Sequence, residues 1–159
     1  MVDKAWYESL PRKRMATGCI FFNAENMVLL VKPTYKDGWE IPGGVVENNE
    51  SPKTACEREV LEEIGLNVSV KGLLIVDYNS YPRESQKTES LMFIFDGGIL
   101  SDDKLSSINV NEDEIKGYEF FSVDKLPKEM NHSLRNRVIQ AIKQKDYKCS
   151  IYLENQQII

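Results

Sequence analysis

The chain has 159 residues, the length of one ordinary domain, with 42% apolar and 28% charged residues and a net charge of −5. That charge disfavours a protein that grips nucleic acid through its backbone phosphates, although it leaves room for an anionic substrate met through a metal ion. The longest apolar runs, 27–31 and 91–95, are far too short to span a bilayer, so no membrane association is expected.

Arg12-Lys13-Arg14 followed by the apolar stretch 16–22 has the outline of a secretion signal, but Thr17 and Gly18 interrupt it and it runs directly into Asn23-Ala24-Glu25-Asn26. It reads instead as a strand. Runs 15–23 and 26–32, joined by Ala24-Glu25, predict a hairpin. A polar loop, 33–38, leads to a short extended segment, 39–46, centred on Pro42-Gly43-Gly44. The pattern predicts a helix over 51–64: Ser51 suits the N-cap, Pro52 the first helical position, and Gly65 the residue past the end. Strands follow at 68–78, 90–96 and 115–121. A second helix spans 132–145, where Leu134, Val138 and Ile142 recur at spacing four, and a last strand is expected at 147–153. No repeat, low-complexity tract or linker divides the chain. The expected fold class is α/β, one domain over 1–159 with a mixed β-sheet sandwiched between α-helices. Cys19, Cys56 and Cys149 are odd in number and widely spaced, which fits a reducing cytoplasm, and the lone His132 excludes any site needing two histidines.

The chemistry concentrates on the first long helix. At 100° per residue, Glu59, Glu62 and Glu63 fall within about 100° of one another. Glu59 and Glu63 form a like-charge pair at spacing four, unfavourable by roughly 0.2–0.5 kcal/mol. Glu62 and Glu63 also occupy the last turn, where the helix dipole favours cations. A hard divalent cation would relieve both penalties. The plain alternative is a solvated acidic face. Against it, the small residues Ala55 and Cys56 share the side of the three glutamates, with Val60, Leu61 and Ile64 on the flank and back, which predicts carboxylates turned into a cleft.

The stretch Gly44-Val45-Val46-Glu47-Asn48-Asn49-Glu50-Ser51-Pro52-Lys53-Thr54-Ala55-Cys56-Glu57-Arg58-Glu59-Val60-Leu61-Glu62-Glu63-Ile64-Gly65-Leu66 resembles the Nudix box. Gly44, Glu50, Arg58, Glu59, Val60, Glu62, Glu63, Gly65 and Leu66 match its defined positions, and the approach Trp39-Glu40-Ile41-Pro42-Gly43-Gly44 is typical of the family. The resemblance to MutT-like Nudix hydrolases implies an α/β/α sandwich and an enzyme that cleaves a diphosphate linkage in a nucleoside diphosphate derivative, such as a nucleoside triphosphate or ADP-ribose. It implies Mg²⁺, with Mn²⁺ a substitute, held by Glu59, Glu62, Glu63 and the Gly43 carbonyl. It further implies that Arg58 ties the loop to the helix through Glu50, and that Gly44 and Gly65 are structural. Glu62 and Glu63 are expected in catalysis. Glu47 is a weaker candidate for work near the metal, with surface exposure the alternative.

The base that positions water varies across the family. Glu114, six residues before Phe120, is the candidate, with its neighbours Glu112 and Asp113 as substitutes and a plain acidic loop as the alternative. Trp39 and Tyr35 are candidates to contact the organic half of the substrate. Tyr78 and Tyr81 are further stacking candidates, and Lys36 and Arg83 candidates to touch a phosphate, with packing or surface charge the ordinary reading of each. A small nucleotide is the expected partner and the state a monomer or homodimer. A non-catalytic nucleotide-sensing module on the same scaffold is the alternative function.

Overall fold

The computed structural model describes residues 3–80, 89–145 and 149–159. Tyr81 and Arg83, named above as possible substrate contacts, lie outside the described residues, as does the start of the strand expected at 147–153.

Alternation organises the centre of the molecule. In β1 (Arg14–Phe22), Cys19 and Phe21 join one apolar cluster while Ile20 and Phe22 join another, because successive side chains leave a strand on opposite faces. Helix α2 (Pro52–Ile64) covers the first face with Cys56, Val60 and Ile64. Helix α4 (His132–Gln144) covers the second with Leu134, Val138 and Ala141. Each fully buried Leu, Ile, Val or Phe in these layers contributes about 1.5–3 kcal/mol of burial free energy. The sandwich of helices about a sheet is therefore present.

The sheet contains β1, β2 (Val28–Pro33), β3 (Gly43–Val45), β4 (Gly72–Asn79), β5 (Ser90–Ile99), β6 (Ile115–Phe121), β7 (Ile151–Glu154) and β8 (Gln157–Ile158). Its order is β6-β2-β1-β5-β4-β7-β8, with β3 attached to β1. The β1–β5 and β4–β7 pairs are parallel and the others antiparallel, so the sheet is mixed. One edge of β1 is divided. Its C-terminal end meets β2 at Phe22 and Val28, and its start pairs with β3, Ala16 to Gly18 lying opposite Val45 to Gly43. The opening between is spanned by the extended segment before β3: Glu40 bridges Val31, and Cys19 N–H donates to the Pro42 carbonyl at 2.8 Å.

Several boundaries differ from the sequence pattern for local reasons. β4 starts at Gly72 rather than 68, since Val70 N–H is taken by the Glu57 carboxylate at 3.0 Å. β5 continues past 96 through a bulge in which Gly98 adopts φ 79°. Three short elements, α1 (Lys4–Ser9), α3 (Asp102–Ser106) and β8, as well as a 3₁₀ turn at Val123–Lys125, are too brief to show a period. Leu61 is exposed, while Val60 and Ile64 pack on the sheet beside Glu63, not behind it. Among the described residues no helix is long and apolar enough to cross a membrane.

Ile64 is fully buried at the end of α2, where it fastens the acidic turn to the sheet. Ile64→Ala should lower the unfolding free energy by about 2–5 kcal/mol in urea denaturation, through lost burial and the cavity left behind.

Candidate active site

Helix α2 starts and stops where its caps dictate. Ser51 Oγ accepts from Thr54 N–H at 3.1 Å, and Gly65 closes the far end at φ 71°, its N–H donating to the Leu61 carbonyl at 3.0 Å. This fixes which carboxylates of the last two turns meet β3. Glu63 is buried at 8% exposure, and its Oε2 accepts from Gly43 N–H at 2.9 Å. A Cβ on Gly43 would collide with the Thr17 carbonyl, and one on Gly44 with the Glu59 carboxylate. Strand β3 is thus pressed between β1 and the glutamates.

Arg58 holds the other acids. Its Nε and Nη2 form a two-pronged pair with Glu50 at 2.9 and 3.1 Å, and Nη2 also donates to the Val45 carbonyl at 3.2 Å. Its Nη1 donates to Glu59 at 2.9 Å and Glu62 at 2.8 Å. Glu50 additionally accepts from Glu47 N–H at 3.1 Å, so the loop before α2 is tied to the helix at two points. The Arg58 hydrogen bonds hold the Glu50 carboxyl below its usual range.

Burial acts in the opposite sense on the remaining pair. It pushes the Glu63 carboxyl up to about 8, against the Gly43 N–H, and the charges of Glu59, Glu40 and Glu114 add to the rise. Burial also raises Glu59, despite Arg58. Glu114 is exposed in the loop before β6, yet its charge reaches both glutamates.

The expectation that Glu59, Glu62 and Glu63 all face a cleft needs correction. Glu63 is buried and Glu59 half-buried, but the Glu62 side chain is 49% exposed and turned onto Arg58. Among the described residues no three acidic, His or Cys side chains are arranged to hold a metal ion. A 560 Å³ cavity lies beside the glutamates and shares with them the Gly43–Gly44 wall. Trp39 and Tyr35 line it, as do Lys36 and Glu40, which pair at 2.7 Å. Trp39 is steadied edge-on against Phe121, with ring centroids 5.0 Å apart. Tyr78 lies away from this cavity and hydrogen-bonds Glu89.

Two features escaped the sequence reading. Glu40 adds its charge to those of Glu59 and Glu114 around Glu63. Arg137 of α4 reaches the cavity and forms an ion pair with the fully buried Asp77. A charged residue at an inward position of an otherwise apolar strand was the available signal for Asp77.

A family model for the NUDIX domain matches residues 12–142. The chain belongs to the Nudix family. It is 34% identical over 124 residues to an RNA pyrophosphohydrolase of Hydrogenovibrio crunogenus, covering 69% of this chain and 72% of that protein. It is 37% identical over 110 residues to an ADP-ribose pyrophosphatase of Methanocaldococcus jannaschii, covering 65% of this chain and 59% of that one. It is also 32% identical over 114 residues to diphosphoinositol polyphosphate phosphohydrolase 2 of Rattus norvegicus, covering 71% and 59%. The chain therefore spans 59% of the length of two of these relatives. Its fold is that of a UDP-X diphosphatase, with TM-score 0.72 at 22% identity over 96% of this chain and 76% of that one. A MutT protein from Methanosarcina mazei Go1 also shares the fold, with TM-score 0.69 at 20% identity over 87% and 99%. In this Nudix domain the box is the loop and helix that carry Arg58, Glu59 and Glu63.

The raised Glu63 carboxyl sets a pH dependence for the metal-free protein. Between its ordinary value of 4.5 and about 8, the folded chain binds a proton that the unfolded chain has released. Stability should therefore fall as pH rises through this window, by at most about 1.4 kcal/mol per pH unit for one proton. Urea denaturation in chelator at pH 5, 7 and 9 should show that decline, and Glu63→Gln should flatten it.

Proposed function

We propose that this chain is a divalent-metal-dependent hydrolase that cleaves a diphosphate linkage in a nucleoside diphosphate derivative, by attack of water at phosphorus. The observation that carries the reading is the placement of the buried Glu63 against Gly43 and of Glu59 against Gly44, the two glycines that also line a cavity walled by Trp39. The names of the relatives, all diphosphate-cleaving enzymes, point to the same reaction class.

The donor set fits a hard cation. Glu63 is a buried carboxyl with the further carboxylates of Glu59, Glu40 and Glu114 around it, oxygen donors that suit a hard cation. Glu59, Glu62, Glu63 and the Gly43 carbonyl are the residues that would hold Mg²⁺ or Mn²⁺. For this, Glu59 and Glu62 must turn off Nη1 of Arg58, which keeps Glu50 through its other nitrogens. When bound, the ion supplies charge neutralisation at the diphosphate oxygens and lowers the pKa of a bound water. Arg58, paired with Glu50, keeps the loop and helix in register, while Gly44 gives Glu59 its room and Gly65 ends the helix. Glu62 and Glu63 act at the reacting phosphate. Glu114 positions the attacking water, since its charge is felt at both Glu59 and Glu63. Trp39 and Tyr35 contact the organic half. The whole chain acts as one Nudix domain on a small nucleotide, as a monomer or homodimer. The three free cysteines suit the reducing cytoplasm.

Release of phosphate or pyrophosphate from a nucleotide panel should require Mg²⁺ or Mn²⁺ and vanish in excess chelator; a chain that binds nucleotides but turns none over is instead the sensing module. Glu59→Gln and Glu63→Gln should each lower turnover at least about 100-fold with the fold retained. Glu114→Gln should lower kcat by roughly 10²–10⁴-fold with little change in KM, the usual effect of losing a general base. Asp113→Asn serves as the control, and equal loss in both would remove Glu114 from the mechanism.

A further inference from the structure

Arg137 is held more firmly than a surface arginine needs to be. Its Nε donates to Asp77 Oδ2 and its Nη2 to Asn79 Oδ1. Asp77 is fully buried and also accepts from the Gln156 backbone N–H at 3.0 Å, while the Gln156 side chain sits against Asp77 and Asn79. Residues from β4, α4 and the turn before β8 thus fix one guanidinium. A buried ion pair is a poor device for stability, since apolar residues of equal volume serve as well or better. Its use here is orientation. Asp77 and Asn79 take one edge of the fork, among the described residues Nη1 makes no hydrogen bond, and the side chain lines the 560 Å³ cavity.

The charge around that cavity decides what Arg137 can meet. Lys36 and Arg137 face Asp37, Glu40 and Glu129, and both cations are already paired, with Glu40 and Asp77. Among the described residues the balance is negative, so a second phosphate or a polyphosphorylated ring is repelled at this end. Trp39, Tyr35 and Met92 offer aromatic and apolar surface to a neutral planar group. A guanidinium carries donors and no acceptor. It is satisfied by a base whose edge presents keto oxygens, such as O6 with N7 of guanine or O4 of uracil. On adenine the corresponding edge sets an amino donor beside N7.

Resting on the proposed nucleotide substrate, we propose that Arg137, oriented by Asp77 and Asn79, is the specificity-determining residue of this chain and selects a keto-bearing nucleobase in the cavity walled by Trp39. Asp77 is a positioning residue that acts through it.

Isothermal titration with GMP, UMP, AMP and inositol hexakisphosphate tests this without any turnover, and the phosphate shared by the three mononucleotides cancels in their ratios. GMP and UMP should bind the wild-type chain at least about tenfold more tightly than AMP, the discrimination of one well-placed donor set. Inositol hexakisphosphate should bind more weakly than any of the three. Arg137→Lys should bring the ratio to within about twofold, and Asp77→Asn should shrink it with Arg137 intact. AMP binding as tightly as GMP and UMP overturns the proposal, as does preferred binding of the inositol polyphosphate. A ratio that persists in a folded Arg137→Lys chain does so too, and if that variant does not fold the wild-type ratios alone decide. A chain that prefers keto bases yet hydrolyses no diphosphate keeps this inference and refutes the hydrolase reading.

Discussion

The structure depends on how closely one short stretch of backbone approaches its neighbours. Strand β3 runs between β1 and the acidic end of α2, and neither Gly43 nor Gly44 has space for a side chain. The close approach delivers Gly43 N–H to a buried carboxylate and brings Glu59 against Gly44. It also divides the edge of β1 between β2 and β3, which opens the sheet where the cavity forms. A side chain at Gly43 would push the strand from the β1 backbone, and one at Gly44 would displace the Glu59 carboxylate.

Around that wall the charges are arranged with little local compensation. Arg58 serves Glu50 with two nitrogens and Glu59 and Glu62 with the third. Among the described residues Glu63 receives only a backbone N–H, and three other carboxylates raise the cost of ionising it. A group so disposed costs the fold stability whenever it is ionised. The single arginine therefore has two tasks that separate cleanly by nitrogen. One edge of the fork, Nε and Nη2, holds the loop, and Nη1 holds Glu59 and Glu62.

The three relatives named above carry names that specify three different substrates, at similar identities to this chain. The cavity beside the glutamates is lined from β1, the loop before β3, β3 itself, β5, the loop before α4 and α4. Its negative balance and its one externally anchored guanidinium are properties of side chains far apart in sequence.

The amino-acid sequence alone determined the helix Pro52–Ile64, the central strands, and the identity of the acidic residues, because each rests on local rules: Ser51 and Gly65 as caps, alternation in β1, and the spacing of the box. Only the tertiary structure decided which glutamates are buried. Helical periodicity places Glu59, Glu62 and Glu63 on one face, but the position of β3 buries Glu63, half-buries Glu59 and leaves Glu62 to Arg58. Glu40 and Glu114 join them from separate loops, and Asp77 and Arg137 meet across 60 residues of chain. Such encounters are set by strand order and helix docking, and nothing in the local pattern of a chain records what will lie beside it after folding.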